Sequence, residues 1–312
     1  MVKKIAILGA GFIGKNLLNS YAGSGHLLHV LDRNSPYDKL PDGIEWIEGS
    51  FGEPDAVRHA ITGADVVFHL ISSTVPGDAV DENEEIMNNV VQTISLLKLC
   101  LREHVGRVVF ISSASVYGIK RNLPVHESAS TDPISSHGIH KLTIEKYLKL
   151  YKYQYGLDCK IMRLANPYGG GQNIFGRQGF IAIAIGKLLT GASVIVHGDG
   201  SAIRDFIHID DVIKACHLLA ESNSDEDVFN IGSGKGISIN DVLGELRQLT
   251  DIAMDVTYVR NRKNDIAASI LDIQKAKGIL GFEPCIPLKE GLKLTISSYA
   301  KDFPERVKFK CG

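Results

Sequence analysis

The chain has 312 residues, enough for two packed cores, because single cores stop growing near about 250–300 residues. Hydrophobic residues at 44% and charged residues at 22% fit a globular protein and exclude a disordered or fibrous one. A net charge of −2 supplies no general attraction to nucleic acid or to an anionic membrane, so partners must be read from sites.

The first stretch, "MVKKIAILGAGFIG", carries two lysines and an apolar run. Its glycines and the following Lys15 fit a buried strand entering a turn rather than a secretory leader. Further strands are predicted at "LLHVLD" (27–32), "IEWIEG" (44–49), "ADVVFHLI" (64–71), "RVVFISS" (107–113) and "CKIMRL" (159–164), with period-3.6 helices over 84–104 and 137–155. Short apolar runs alternating with amphipathic helices predict an α/β fold, a doubly wound parallel sheet of the Rossmann type. After Arg163 the glycine-rich "NPYGGGQNIFGRQG" (166–179) breaks the alternation and reads as a loop. Beyond it, "FIHIDDVIKACHLLA" (206–220) reads as a helix and "VFNIGSG" (228–234) as a buried strand that return to the first domain. The predicted division is a dinucleotide-binding domain of 1–169 plus about 206–232, and a smaller α/β substrate domain of about 170–205 plus 233–312.

No window reaches the ~18–20 uninterrupted apolar residues of a membrane span, and "FIAIAIGKLL" (180–189) is interrupted by Lys187. The five cysteines (Cys100, Cys159, Cys216, Cys285 and Cys311) form no C-x-x-C pair and suit a reducing cytoplasm.

Gly9, Gly11 and Gly14 stand directly after the first strand, with Phe12 and Ile13 between the last two. The first glycine permits a tight turn, the second lets the backbone approach a pyrophosphate, and the third lets helix and strand pack closely. Asp32, at the end of the second strand, suits a ligand of a ribose diol, though a strand-end carboxylate also serves as a turn cap. As a diol ligand it repels a 2′-phosphate and favours NAD over NADP, whereas the adjacent Arg33 would pair with that phosphate.

Ser112 and Ser113 close the strand over 107–113, the end at which parallel sheets bind their ligands. "PISSHGIHKLTIEKYL" then sets His137 and Lys141 one helical turn apart on one face. With "GAGFIG", "FHL" (68–70), "NVVQT" (89–93), "SSASVYG" (112–118), "RLANPYG" (163–169), "GDGSAIRDFIHIDD" (198–211), "NIGSG" (230–234) and "LDIQKAKGILGFEP" (271–284), the chain resembles the extended short-chain dehydrogenase/reductase family almost end to end. Within it the likeness is to nucleotide-sugar epimerases of the UDP-glucose 4-epimerase type.

That resemblance implies roles. Ser113 hydrogen-bonds the reacting sugar oxygen, Lys141 holds the nicotinamide ribose, and Asn89 matches the asparagine of the central helix. Leu70 and Ser72 join the cofactor contacts. Asn166 matches a ligand of the substrate diphosphate, and Arg204, Arg262 and Asp265 match the nucleotide grip, although each charged residue alone also fits a surface ion pair. The family further implies a homodimer built on helices 84–104 and 137–155, an apolar face that would equally serve the intramolecular core.

Three departures stand out. Ile7-Leu8 replaces the usual Thr-Gly of the glycine motif, and Ser50 stands where an acidic residue near the adenine is expected. The third is His137, which occupies the place of the catalytic tyrosine. Imidazole, with a reference pKa near 6.5, needs less help than phenol to act as a base, but it ends about 2 Å short of a tyrosine oxygen. Three readings stay open: a working histidine, proton transfer through Ser113 or water, and a silent binder.

No metal site is expected, since His137 and His140 lack a third ligand and no H-E-x-x-H occurs. His69 and His208 are expected to be packed rather than catalytic. "GSGKG" (232–236) is no phosphate loop, because Gly236 stands where Ser or Thr should be. Ala114 and Ser115 take the places of the Asp-Glu pair of the family's dehydratases. The expected activity is therefore NAD-dependent epimerisation at carbon 4 of a nucleotide-activated hexose, with a UDP-hexose as substrate. The alternatives are a 4-keto-sugar reductase and a regulator that binds both ligands without turnover.

Overall fold

The computed structural model describes residues 2–35, 40–72, 81–261, 265–300 and 303. Along the chain run β1 (Lys4–Leu8), α1 (Phe12–Tyr21), β2 (Leu27–Asp32), β3 (Ile44–Glu48), α2 (Pro54–Ile61) and β4 (Val66–His69). Next come α3 (Glu82–Glu85), a π-helical turn (Ile86–Val91), α4 (Gln92–Arg102), β5 (Arg107–Ser113), a 3₁₀ turn (Ala114–Tyr117), α5 (Ser136–Tyr155) and β6 (Cys159–Leu164). The remainder holds β7 (Asn166–Tyr168), α6 (Phe180–Thr190), β8 (Val194–His197), β9 (Ile203–His208), α7 (Ile209–Glu221), β10 (Val228–Ile231), β11 (Gly236–Ser238) and α8 (Ile239–Leu249). It ends with β12 (Val256–Val259), β13 (Ala268–Ser269), α9 (Gln274–Leu280) and α10 (Leu288–Ala300).

The chain forms two compact units, residues 1–117, 131–163 and 215–229, and residues 118–130, 164–214 and 230–312. The seven-stranded sheet of the first runs β3-β2-β1-β4-β5-β6-β10. Its strands pair in parallel from β3 through β5. Sheets of this kind have both faces covered, so the central strands are rich in apolar residues; Ala6, Leu8, Leu31, Val67, Phe110 and Ile161 are all sealed in one core. Burying each large apolar side chain contributes about 1.5–3 kcal/mol. Strand order reverses between β1 and β4, and the carboxyl ends on either side of such a switch form the crevice where doubly wound sheets bind ligands.

The second unit carries β11-β9-β13, with β7 pairing β9 in parallel, and the two-stranded β12-β8. Helices α6, α8 and α10 seal its core around Ile185, Val194, Phe206, Leu243 and Leu292. Helix α8 opens on a capping box, with Ser238 and Asp241 each satisfying the other's backbone N–H.

Several boundaries differ from expectation, each for a local reason. Residues 166–168 are a strand rather than the start of a loop, and Phe206-Ile207-His208 end β9 rather than begin a helix, because these two segments pair with each other. The division of the chain differs as well: 118–130, 164–169, 206–214 and 230–232 fall in the second unit. The helix expected over 84–104 is interrupted by the π turn at 86–91, which a period of 3.6 cannot reveal. No helix among the described residues is long and apolar enough to cross a membrane.

Candidate active site

The three glycines of the turn from β1 to α1 differ in what requires them. Gly9 has φ +99°, a region closed to ordinary side chains, and its N–H donates to Leu31 O at 2.9 Å. A Cβ on Gly14 would lie 2.0 Å from Gly9 O, so helix and strand approach as closely as the motif demands. Gly11 differs: a Cβ there meets no protein atom within 4 Å. Asp32 sits beside this turn, its Oδ2 accepting from Ala10 N–H at 2.6 Å and its Oδ1 from Arg33 N–H at 2.6 Å. Phe12 and Ile13 are half-buried in the first turn of α1, and Arg33 is exposed. Leu70 continues from β4 with its N–H on Leu8 O at 3.0 Å, and Ser72 is exposed.

The π turn holds Asn89, which is buried and donates from Nδ2 to Glu85 O at 2.8 Å. Its carbonyl accepts the Thr93 hydroxyl at 2.5 Å, so Thr93 Oγ1 must accept from Nε2–H of His69, 2.8 Å away. This chain ties the end of β4 to the turn. Burial, helped by the charge of Lys141, pushes His69 down to about 3, so it is a neutral packed residue, as expected. His208 in the second unit is likewise buried, with Nδ1 accepting from Asp210 N–H at 3.3 Å.

Ser113 ends β5 and its Oγ accepts from Ser115 N–H at 3.1 Å, leaving the hydroxyl proton available to a ligand. Helix α5 begins against this turn: Ser135 Oγ caps it by accepting from Gly138 N–H at 3.2 Å, and a Cβ on Gly138 would lie 2.7 Å from Ser115 O. Hence His137 and Lys141, one turn apart, sit on a helix seated on the 3₁₀ turn that follows Ser113. Lys141 is buried, donates to Ile111 O at 2.7 Å and lies 4.7 Å from the centre of the Phe110 ring. Burial lowers it to about 8, while Glu145 opposes the fall. His137 is half-buried and pushed down to about 4, first by burial and then by the charges of Lys141 and His140.

The other candidates lie in the second unit. Asn166 on β7 donates from Nδ2 to Asp205 O at 3.0 Å. Arg204 on β9 is half-buried, with Nη1 donating to Ile203 O at 2.9 Å and Ile266 O at 2.7 Å. Burial lowers its pKa, and Asp265, itself exposed, acts against that. Arg262 lies outside the described residues. Among the described residues no cluster could hold a metal ion.

Comparison with known proteins separates this site from other uses of the fold. Residues 5–232 match the model of the NAD dependent epimerase/dehydratase family. The chain belongs to that family. It is 30% identical over 300 residues to a UDP-glucose 4-epimerase of Mycolicibacterium smegmatis, with 93% of this chain and 96% of that one covered. A UDP-glucose 4-epimerase of Thermotoga maritima, solved with UDP-glucose, superposes with a TM-score of 0.90 at 32% identity, covering 96% of this chain and 99% of that one. The Thermus thermophilus UDP-glucose 4-epimerase, solved with NAD, gives 0.87 at 26% identity over 95% and 98% of the two chains.

The first unit fits the family's cofactor on its own atoms. Nothing in the protein forbids a side chain at Gly11, so the glycine answers to a ligand above the turn, and a carboxylate stands at the end of β2 where a ribose diol would lie. One part of the site escaped the sequence reading. Glu145, Arg163, Ser112 and Tyr117 form a buried network behind Ser113 and Lys141. The spacing of Glu145, one turn past Lys141, was a usable signal, but its partner is 18 residues further along the chain.

Proposed function

We propose that this family member is an NAD-dependent 4-epimerase of a nucleotide-activated hexose, with a UDP-hexose as substrate. The observation that carries the reading is the seating of α5, with His137 and Lys141, against the turn after Ser113 in the unit that holds the glycine loop. Likeness to UDP-glucose 4-epimerases over the whole chain supports it.

When bound, NAD would supply the hydride acceptor for carbon 4 of the sugar and the donor for the return of that hydride. The protein's own groups manage the proton and the alignment. His137 is unprotonated throughout the physiological range and accepts the proton of the 4-hydroxyl. The imidazolium so formed is more acidic than an ordinary one and gives the proton back readily. Ser113 donates its hydroxyl proton to the sugar oxygen, and Lys141 grips the nicotinamide ribose. Asn89 braces the helix facing them. Gly9, Gly11, Phe12, Ile13, Gly14, Asp32, Arg33, Leu70 and Ser72 hold the dinucleotide, while Asn166, Arg204, Arg262 and Asp265 hold the nucleotide of the substrate. A firm grip on the nucleotide leaves the hexose free to turn over between the two hydride transfers.

The test is conversion of UDP-galactose to UDP-glucose. His137→Phe should lower turnover by about 10²–10⁴-fold without weakening NADH binding, the usual contribution of a general base. A His137→Phe variant as active as the parent, or a His137→Tyr variant orders of magnitude faster, would contradict a working histidine.

A cytoplasmic location and a homodimer belong to the same reading. Cys100, Cys159 and Cys216 are unpaired and buried, as suits a reducing compartment. Ile86, Met87 and Val91, with Ile139 and Leu150 on α5, expose apolar surface for a second copy to cover.

A further inference from the structure

The carboxylate of Glu145 is 1% exposed on the sheet side of α5. It takes a forked bond from Arg163 on β6, with Nε to Oε1 at 3.0 Å and Nη2 to Oε2 at 2.7 Å. Ser112 Oγ donates to Oε1 at 2.6 Å. Arg163 Nη1 donates to Tyr117 Oη at 3.0 Å, and the guanidinium stacks 4.8 Å from the centre of that ring. One buried anion thus joins four pieces of backbone: the residue before Ser113, the end of the 3₁₀ turn after it, the helix of His137 and Lys141, and the neighbouring strand. A buried ion pair is weak evidence for stability, because apolar residues of equal volume often hold a fold as well. Its place beside the segments that carry Ser113 and Lys141 calls for a functional reason.

We propose that Glu145, gripped by Arg163 and Ser112, is a positioning residue that sets Ser113 and Lys141 in one register and supplies the anion opposite the Lys141 ammonium. The inference rests on the reading of Lys141 as the group that holds the nicotinamide ribose. Among the described residues, few titratable groups act on that ammonium. On α5 they are His137 and Glu145, and from β4 comes His69, which is neutral. Arg163 from β6 and Lys149, one turn beyond Glu145, are the other cations near the carboxylate. Glu145 is the anion that opposes the effect of burial on Lys141. Removing its charge therefore makes Lys141 lose its proton at lower pH.

NADH binding, followed by the fluorescence of the nucleotide with no sugar present, reads this directly from pH 6 to 10. Wild-type affinity should fall above about pH 8, as Lys141 discharges. In Glu145→Gln the same fall should begin about one pH unit lower, a tenfold change in the ionisation constant. A purely structural role would weaken binding equally at every pH, and an unshifted midpoint overturns the proposal. If Glu145→Gln does not fold, Glu145→Met/Arg163→Met, which removes both partners of the fork, should show a smaller displacement in the same direction. A double variant that also fails to fold assigns the pair to stability alone and overturns the proposal. A shifted midpoint in Glu145→Gln beside a wild type that turns over no UDP-hexose keeps this inference and sinks the epimerase reading.

Discussion

Histidines carry the unusual chemistry of this chain at the scale of single residues. His137 and His69 are both held far below the ordinary imidazole value, to about 4 and about 3, in each case first by burial. Unfolded, each binds a proton near pH 6.5; folded, neither does until the pH is far lower. The unfolded chain therefore takes up more protons between these values, and the stability they confer is full above pH 6.5 and lost as the pH falls toward 4. Thermal melts from pH 7 to 4 should show the melting temperature dropping through this window. The drop should be smaller in His69→Gln, measured relative to that variant's own value at pH 7. A melting temperature independent of pH between 6.5 and 4 would show that these imidazoles are not held neutral.

At the scale of elements, the glycine turn separates what folding needs from what binding needs. Gly14→Ala drives a Cβ to within 2.0 Å of a backbone oxygen, an overpacking that costs about 1–3 kcal/mol or more. Gly11→Ala meets open space, so stability should stay within about 0.5 kcal/mol while NADH affinity falls at least tenfold. Calorimetry and fluorescence titration check the pair; equal loss of stability in both would contradict this assignment. The turn was legible in sequence because strand, glycines and carboxylate occur at fixed spacing. Strands β2, β5 and β6 were legible to the residue, since short runs rich in Val, Ile, Leu and Met stand between helical stretches. The π turn was not, because a single widened turn leaves the apolar pattern on either side intact. Strand β7 was hidden for a different reason: three residues containing a proline carry no alternation, and only pairing with β9 makes them a strand.

For the whole molecule, the order of motifs along the chain announced the family, while its division into units did not follow from it. The crossing at 163/164 lies close to the glycine-rich break after Arg163, but that at 214/215 falls inside α7, where composition does not change. The candidate site was half legible. Ser113, His137 and Lys141 could be named from their place at a strand end and on one helix face, yet the Glu145–Arg163 pair that braces them is a contact between elements. Oligomeric state also belongs to this scale: light scattering should give about twice the mass of the chain, and a monomer would reject the homodimer. The central claim is that hydride leaves carbon 4 of the sugar and returns to the same carbon. Its most direct measurement is incubation of UDP-[4-²H]galactose with the purified protein and no added cofactor, followed by mass spectrometry and NMR of the product. The account predicts UDP-glucose with the deuterium kept at carbon 4; deuterium lost to water, or no product at all, would contradict it.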